Sequence, residues 1–511
     1  MSLRFALLNW VKSTLLHSKH HYPITTWLFI RGLALIYLLA ISSMWLQIDG
    51  LIGSDGILPA HLFFDRVWQA LDLEGLWFYP SLLWISCHDS SLHLLCLMGT
   101  VLALLAFIGF AEGYIFAVLW AIYLSLTIAG QTFWGFQWDN LLLETGIVAL
   151  FICHWHAKPS KVVNHPYHLG GIWLLRCLLF KLMFLSGVVK LASQDEVWWN
   201  LTALEYHFFT QPLPPFTAWY MHHAPTFLLK VSTFIMFIIE LVLPFLIFAP
   251  RKWRLIPFGS FVLLMLLITV TGNYGFFNYL TALLCISLLD DSMLPRKIRQ
   301  TLGTLDAKAS FYTVCEPKPK IWNHTLTAFA CLLFLFNLIV FANASPWRNP
   351  LASGFQDILR PLSGFRSINN YGLFANMTEK RPEIIIEGSH DGNTWKAYEF
   401  YWKPGKPDKL PAFIAPYHPR LDWQMWFAAL GNLDHNPWLT NLMIRMLQNK
   451  EQAERLLKYN PFPEAPPQFI RAQLYHYEFT SPEEKIEQGD WWKRKHLGAY
   501  SPTITQQFIK R

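Results

Sequence analysis

Long apolar runs fill roughly the first two thirds of the chain and then stop. They lie at Trp27–Leu46, Leu92–Phe110, Tyr114–Gly130, Asp139–Trp155, Ile172–Leu191, Thr226–Phe248, Leu255–Val270, Phe276–Leu289 and Thr325–Phe341. A membrane-crossing helix needs about 20 mostly apolar residues, fewer when it packs among others. The fourth, seventh and eighth runs are short or polar, so the pattern predicts about nine spans. After Ala344 the rhythm changes. EIIIE (Glu383–Glu387) and AYEFYW (Ala397–Trp402) flank SHDGNTW, and Asp391-Gly392 between strand-like runs is a hairpin signal. Asp422–Leu430 and Trp438–Leu457 read as helices, with Asn436-Pro437 before the second and Asn460-Pro461 after it. Phe469–Thr480 alternates as a strand does. The expected architecture is a polytopic α-helical membrane domain over residues 1–344, followed by a β-sandwich-like soluble domain with a helical insertion over residues 345–511.

Charge sharpens that division. The chain is 53% hydrophobic and 15% charged. Residues 1–344 hold 37 Asp, Glu, Lys and Arg, whereas residues 345–511 hold 38, nearly one in four. The net charge of +7 is spread over both parts, which argues for loop charge beside membrane lipids and against a nucleic-acid partner. The seven cysteines include no CxxC pair and none follows Cys331, so neither structural zinc nor disulfides are expected in the soluble part. The first apolar run is too long for a cleaved signal and reads as a retained span.

Loop charge predicts orientation. With the N-terminus cytosolic, inner segments carry Lys158, Lys161, Arg251, Lys252, Arg254, Arg296, Lys297 and Arg299. The two long outer loops, residues 47–91 and 192–225, carry Asp49, Asp55, Asp65, Asp72, Glu74, Asp195, Glu196 and Glu205 against Arg66. Nine crossings then put the C-terminal domain outside the cytosol. The second loop is dense in aromatics (Trp198, Trp199, Tyr206, Phe208, Phe209, Trp219) around Pro212, Pro214 and Pro215. Such density fits an interfacial belt, or the partly re-entrant lining of a cavity.

No GxSxG, Walker, GxGxxG or HExxH motif occurs, so no cofactor or metal is expected and no residue is marked as catalytic by motif. Ionisable groups inside spans are costly and therefore stand out. Gln137, Asn140 and Glu144 form a polar stripe on one face of the fourth span, and Asp139 sits where it could cap that helix. Lys181 and Lys190 lie nine residues apart, on opposite sides of the fifth span, and Glu240 is mid-span in the sixth. Pairing of either lysine with Glu144 or Glu240 is the architectural reading. A desolvated Lys190 acting as a base, with Glu205 and His207 nearby in the outer loop, is the chemical one.

Several ordered motifs resemble the lipase maturation factor family. They are Gly53-Ser-Asp-Gly-Ile-Leu-Pro59, Gln137-Trp-Asp-Asn-Leu-Leu-Leu-Glu144, Leu201-Thr-Ala-Leu204 with Gln211-Pro-Leu-Pro214, Phe365-Arg-Ser-Ile-Asn-Asn-Tyr-Gly-Leu-Phe374, Pro419-Arg-Leu-Asp-Trp-Gln-Met-Trp-Phe427 and Asn460-Pro-Phe462. The resemblance covers nearly the whole chain. It implies a membrane chaperone whose C-terminal domain, in the endoplasmic-reticulum lumen or the periplasm, holds a secreted lipase or other exported client. Trp395, Trp402, Trp423, Trp426 and Trp491 are the candidates for client contact, with an ordinary β-domain core as their other use. A shorter similarity, Ser186-Gly187-Val-Val-Lys190-Leu191 and Trp198, is to the membrane region of vitamin K-dependent carboxylases. It implies the alternative of a membrane-embedded enzyme acting on a lipidic or quinone-like substrate, with Lys190 as base.

Overall fold

The computed structural model describes residues 22–160, 162, 165, 167–308, 320–344 and 359–506. The basic stretch Met1–His21, Cys315 and the expected domain boundary at Ser345 lie outside the described residues.

Among the described residues, seven helices are long and apolar enough to cross a membrane. They are α1 (Pro23–Trp45), α2 (Asp89–Ile108), α3 (Glu112–Ala129), α5 (Leu169–Ala192), α6 (Thr226–Phe248), α7 (Arg251–Thr271) and the apolar stretch His324–Phe341 of α9 (Lys320–Ala344). Two of the nine expected spans fall short: α4 (Gln137–Ala149) has 13 residues and α8 (Phe277–Leu288) is a shorter apolar helix. α4 begins two residues before the expected run and ends at Ala149 rather than Trp155, and α8 matches its run to within one residue at each end. Gln137, in the first turn of α4, and Asn273, ahead of α8, bind the C-terminal region. Most of α1, α3 and α5 is buried, whereas α2, α6, α7 and α9 expose most of their residues, as helices on an apolar rim do.

Contacts at both ends tie the short helices to longer neighbours. Glu112 opens α3, and its carboxylate accepts from Arg31 of α1 at 2.6 Å and from Ser160, and meets His165 Nε2 at 2.8 Å, beyond the end of α4. The Gly113 amide donates to the His154 carbonyl at 3.0 Å. At the far end of the same helix, Tyr123 donates to Asp139, in the first turn of α4, at 2.6 Å. Likewise Asp291, just past α8, accepts from the free amides of Ile24 and Thr25 at the start of α1, where a helix leaves donors unpaired. Gly109 ends α2 in the left-handed region (φ +94°), and a Cβ there would strike the Arg31 guanidinium.

The C-terminal region is β-rich. Strands β1 (Arg381–Ser389), β2 (Lys396–Ala397), β5 (Phe469–Phe479) and β6 (Trp492–Ala499) form an antiparallel sheet in the order β2-β1-β5-β6, with β7 (Ile504–Thr505) also on β5. β3 (Glu399–Phe400) and β4 (Leu457–Tyr459) pair separately. Among the described residues this is one five-stranded sheet and a two-stranded ribbon, coarser than the sandwich expected. The hairpin forms where Asp391-Gly392 predicts it: Gly392 takes φ +77° and Asp391 accepts from the Asn393 and Thr394 amides. The insertion is helical, Arg420–Ala429 and Pro437–Leu447.

The two parts share one hydrophobic core, which runs from α1 through α5 to Ile384, Trp423 and Ile470. Residues 365–377, expected to open a water-facing domain, instead lie on the helices. Trp120 donates to Ser367, the Gly372 amide to Gln137, and the Met377 amide to Asp195 at 2.7 Å.

Candidate functional site

Three buried charges hold the C-terminal region onto the helices. Arg420 reaches Asp139 with two nitrogens at 2.6 and 2.8 Å, the geometry in which a guanidinium matches a carboxylate best. Both side chains are almost wholly buried. Asp139 was expected to cap α4; it makes no cap and pairs with Arg420 instead. Arg381, on β1, donates to the carbonyls of Phe209 and Pro212 at 2.8 Å each and to that of Gln211, so it fixes the Pro-rich loop around Pro212 against the sheet. Glu383 neutralises it at 2.7 Å, and Lys403 completes the group.

The third charge is Glu144. It accepts from Lys181 at 2.6 Å and from Tyr371 at 2.7 Å, with Asn369 at 3.3 Å. Lys181 also donates to Asn337 on α9. Gln137, Asn140 and Glu144 thus receive residues 369–372: Gln137 exchanges two hydrogen bonds with Gly372, and the Asn140 carbonyl accepts from Asn369.

Between these anchors lies a cavity of about 390 Å³. Its floor is Ser186 and Lys190 of α5 and Glu240 of α6, and its walls include Met265 of α7 and Phe277 of α8. Residues 372–374 and 376–378 form one side, and Trp423, Trp426 and Phe427 the roof. Lys190 donates to both Glu240 oxygens, at 3.0 and 2.7 Å, and to the Ser186 carbonyl at 3.0 Å. Lys190 is thus held in a buried ion pair with Glu240, the architectural use of the residue. Glu240 lies in a π-helical turn, Ile238–Val242, where the wider helix moves one side chain out of step with its neighbours. Of the other chemical candidates, His207 lines this cavity and sits 3.4 Å from the Tyr274 hydroxyl. Although half-buried by surface area, it is enclosed by protein, and burial, with Lys190 adding, pulls its pKa down to about 4. Glu205 faces a different hollow, with His222, His223 and Lys493. No group of three or more metal-ligating side chains occurs among the described residues.

None of the five candidate tryptophans is exposed. Trp423 is buried beside His418, and Trp426 donates to the Thr210 carbonyl at 2.8 Å, so both face the helices. Trp491 packs edge-on against Trp219. Trp395 is half-buried beneath the Arg471 guanidinium at 3.9 Å. Trp402, also half-buried, lines an open hollow of about 860 Å³ on the C-terminal region, together with Tyr401, Leu410 and Tyr459.

Sequence reasoning missed Arg420, Arg381, Asn369 and Tyr371. A charged or polar residue in a soluble stretch carries no cost that would single it out, and the partners lie 169 to 281 residues away. Arg31, inside the apolar run Trp27–Leu46, did carry that signal.

Residues 24–296 match the lipase maturation factor transmembrane domain, and residues 367–502 match the lipase maturation factor C-terminal domain. Lipase maturation factor 2 of Rattus norvegicus is 36% identical over 94% of this chain and 82% of its own. The Homo sapiens lipase maturation factor 2 is 35% identical over the same shares. The Homo sapiens lipase maturation factor 1 is 31% identical over 96% of this chain and 90% of its own. No solved structure matches.

Proposed function

The chain belongs to the lipase maturation factor family, and from that premise we propose that it assists the folding and assembly of a secreted lipase, holding it through the C-terminal region. The observation that carries this reading is the match of both family domains, in order, across nearly the whole chain. The carboxylase-like alternative is not favoured, because Lys190 is closed in its pair with Glu240.

The client surface belongs on the hollow around Trp402. Tyr401, Leu410 and Tyr459 are 44%, 54% and 54% exposed there, next to Lys396, Lys406 and Lys458. Exposed aromatics rimmed by charge suit a partner whose apolar surface is still uncovered. Trp423 and Trp426 are roof residues of the cavity and act structurally. Nine crossings, with the N-terminus cytosolic and the C-terminal region in the endoplasmic-reticulum lumen or periplasm, fit the loop charges. The contacts of α3 with α4 at both ends, and of Asp291 beyond α8 with the start of α1, support α4 and α8 as the two further crossings. A count of seven or nine places the C-terminal region opposite the N-terminus equally well.

Removing the C-terminal region would take Arg420 from Asp139 and Tyr371 and Asn369 from Glu144, so the test uses point variants. Tyr401→Asp with Tyr459→Asp is expected to lower the activity of a co-expressed secreted lipase about tenfold, in line with truncating central interface aromatics, while the variant itself accumulates normally. Unchanged lipase activity would remove this surface from the client site. Unchanged lipase activity on depleting the whole protein would remove the function.

A further inference from the structure

Residues 73–85, in the first long loop, pack against the side of α3 rather than above its end. The Leu82 amide donates to the Ser125 hydroxyl at 2.8 Å. Trp77 packs edge-on against Phe365, which in turn stacks on Trp120. α3 ends at Ala129, and the turn just beyond it binds Arg420 and Gln424, so this end faces the C-terminal region. At 1.5 Å per residue, Ser125 lies about 6 Å and Trp120 about 14 Å back along the helix from Ala129. Half the hydrocarbon core of a bilayer is about 15 Å thick. The loop therefore descends beside a membrane-spanning helix to the depth of acyl chains.

Its composition suits that depth. No Asp, Glu, Lys or Arg occurs from Gly75 to His88. Leu76, Trp77, Leu82 and Ile85 are 40% to 88% exposed, and in sequence they lead into α2, whose Leu94, Leu97 and Val101 are exposed as well. Irregular backbone at membrane depth needs partners within the protein, because lipid supplies none. Here the Trp84 indole donates to the Tyr79 carbonyl at 2.8 Å, and the Leu83 amide donates to the Ser81 hydroxyl at 3.1 Å. The charges stand outside the stretch. The preceding helix, Ala60–Leu71, turns Ala60, Phe64 and Val67 inward and exposes Asp65, Arg66 and Gln69, as a helix lying in the interface plane does.

We propose that residues 73–85 are an in-plane membrane element, submerged in the leaflet on the side of the C-terminal region. Its partner is lipid: Leu76, Trp77, Leu82 and Ile85 lie against acyl chains, continuing the lipid-facing surface of α2. The same element seats the C-terminal region at a fixed depth. Gly364 lies so close that a Cβ there would come within 2.6 Å of the Phe78 carbonyl oxygen and 2.9 Å of that of Trp77.

The test places a spin label on the full chain in lipid nanodiscs, in a cysteine-free background, at Leu76→Cys, Ile85→Cys or Asp65→Cys. Collision with oxygen, which concentrates among acyl chains, is compared with collision with a water-soluble nickel chelate. The ratio of oxygen to nickel collisions should be several-fold higher at positions 76 and 85 than at position 65. Equal ratios at all three would mean a water-facing loop and overturn the proposal. Exclusion of both reagents at 76 and 85 would also overturn it, since a second copy or another protein would then cover the patch. Should the cysteine-free chain fail to fold, the unaltered chain is reconstituted with a phospholipid carrying a photoreactive group within its acyl chain. Labelled peptides, located by mass spectrometry, should then include residues 76–85 together with α2. Labelling of α2 without residues 76–85 would overturn the proposal.

Discussion

The Asp139–Arg420 pair shows what one residue can decide. Each charge is removed from water and is tolerable only because the other is there. Arg420→Met leaves a buried carboxylate without its counter-charge at the head of α4, and the expected loss is about 3–5 kcal/mol, measured by unfolding in detergent. Adding Asp139→Leu to that variant should recover most of the loss, since the penalty is the unpaired charge. His207 gives a pH dependence. Its folded pKa of about 4 lies below the ordinary value of about 6.5, so the unfolded chain binds its proton first as the pH falls. Its contribution is fully present above about pH 7 and is lost as the pH falls from about 6.5 towards 4, at up to about 1.4 kcal/mol per pH unit. The variant His207→Gln should flatten that part of the stability profile. An unchanged slope would place the acid sensitivity elsewhere, for instance at buried His418, whose pKa burial also depresses.

At the level of elements, β6 is the edge of the five-stranded sheet. Its burial pattern is exposed almost throughout, and Lys493, Arg494 and Lys495 follow one another along it. An edge strand offers unpaired backbone groups to any other strand, and lysine on the edge discourages that pairing. Lys493→Val with Lys495→Val should therefore drive self-association of the purified protein, seen as a shift to larger species in light scattering. A monodisperse variant would mean that another element covers this edge. The stretch 365–377 is the opposite case, a polar segment with no regular structure over most of its length. It is fixed because Gln137, Glu144 and Asp195 hold its backbone or side chains.

For the whole molecule, the prediction is one of sidedness. In a cysteine-free background, a single cysteine at Lys406 should react with an impermeant maleimide from the outer face of sealed membranes. One at Lys297 should react only after permeabilisation. The reverse pattern would invert the molecule and place the client hollow in the cytosol. Both positions are exposed, so the result depends on sidedness rather than on access.

What the sequence determined by itself was whatever burial writes locally. Long apolar runs set the helices, the charge step separated the two parts, and Asp391-Gly392 set the hairpin, because each depends on residues close together in the chain. Span α4 ends at Ala149, six residues before the end of its expected run, and α8 keeps almost the length its apolar run gives it. The cavity, the docking of residues 365–377 and the Arg420 and Arg381 anchors were decided by tertiary structure alone. An arginine in a polar stretch reads the same whether it faces water or a carboxylate 281 residues away. Likewise Lys190 could be read as a base or as half of an ion pair until the fold placed both Glu240 oxygens against it.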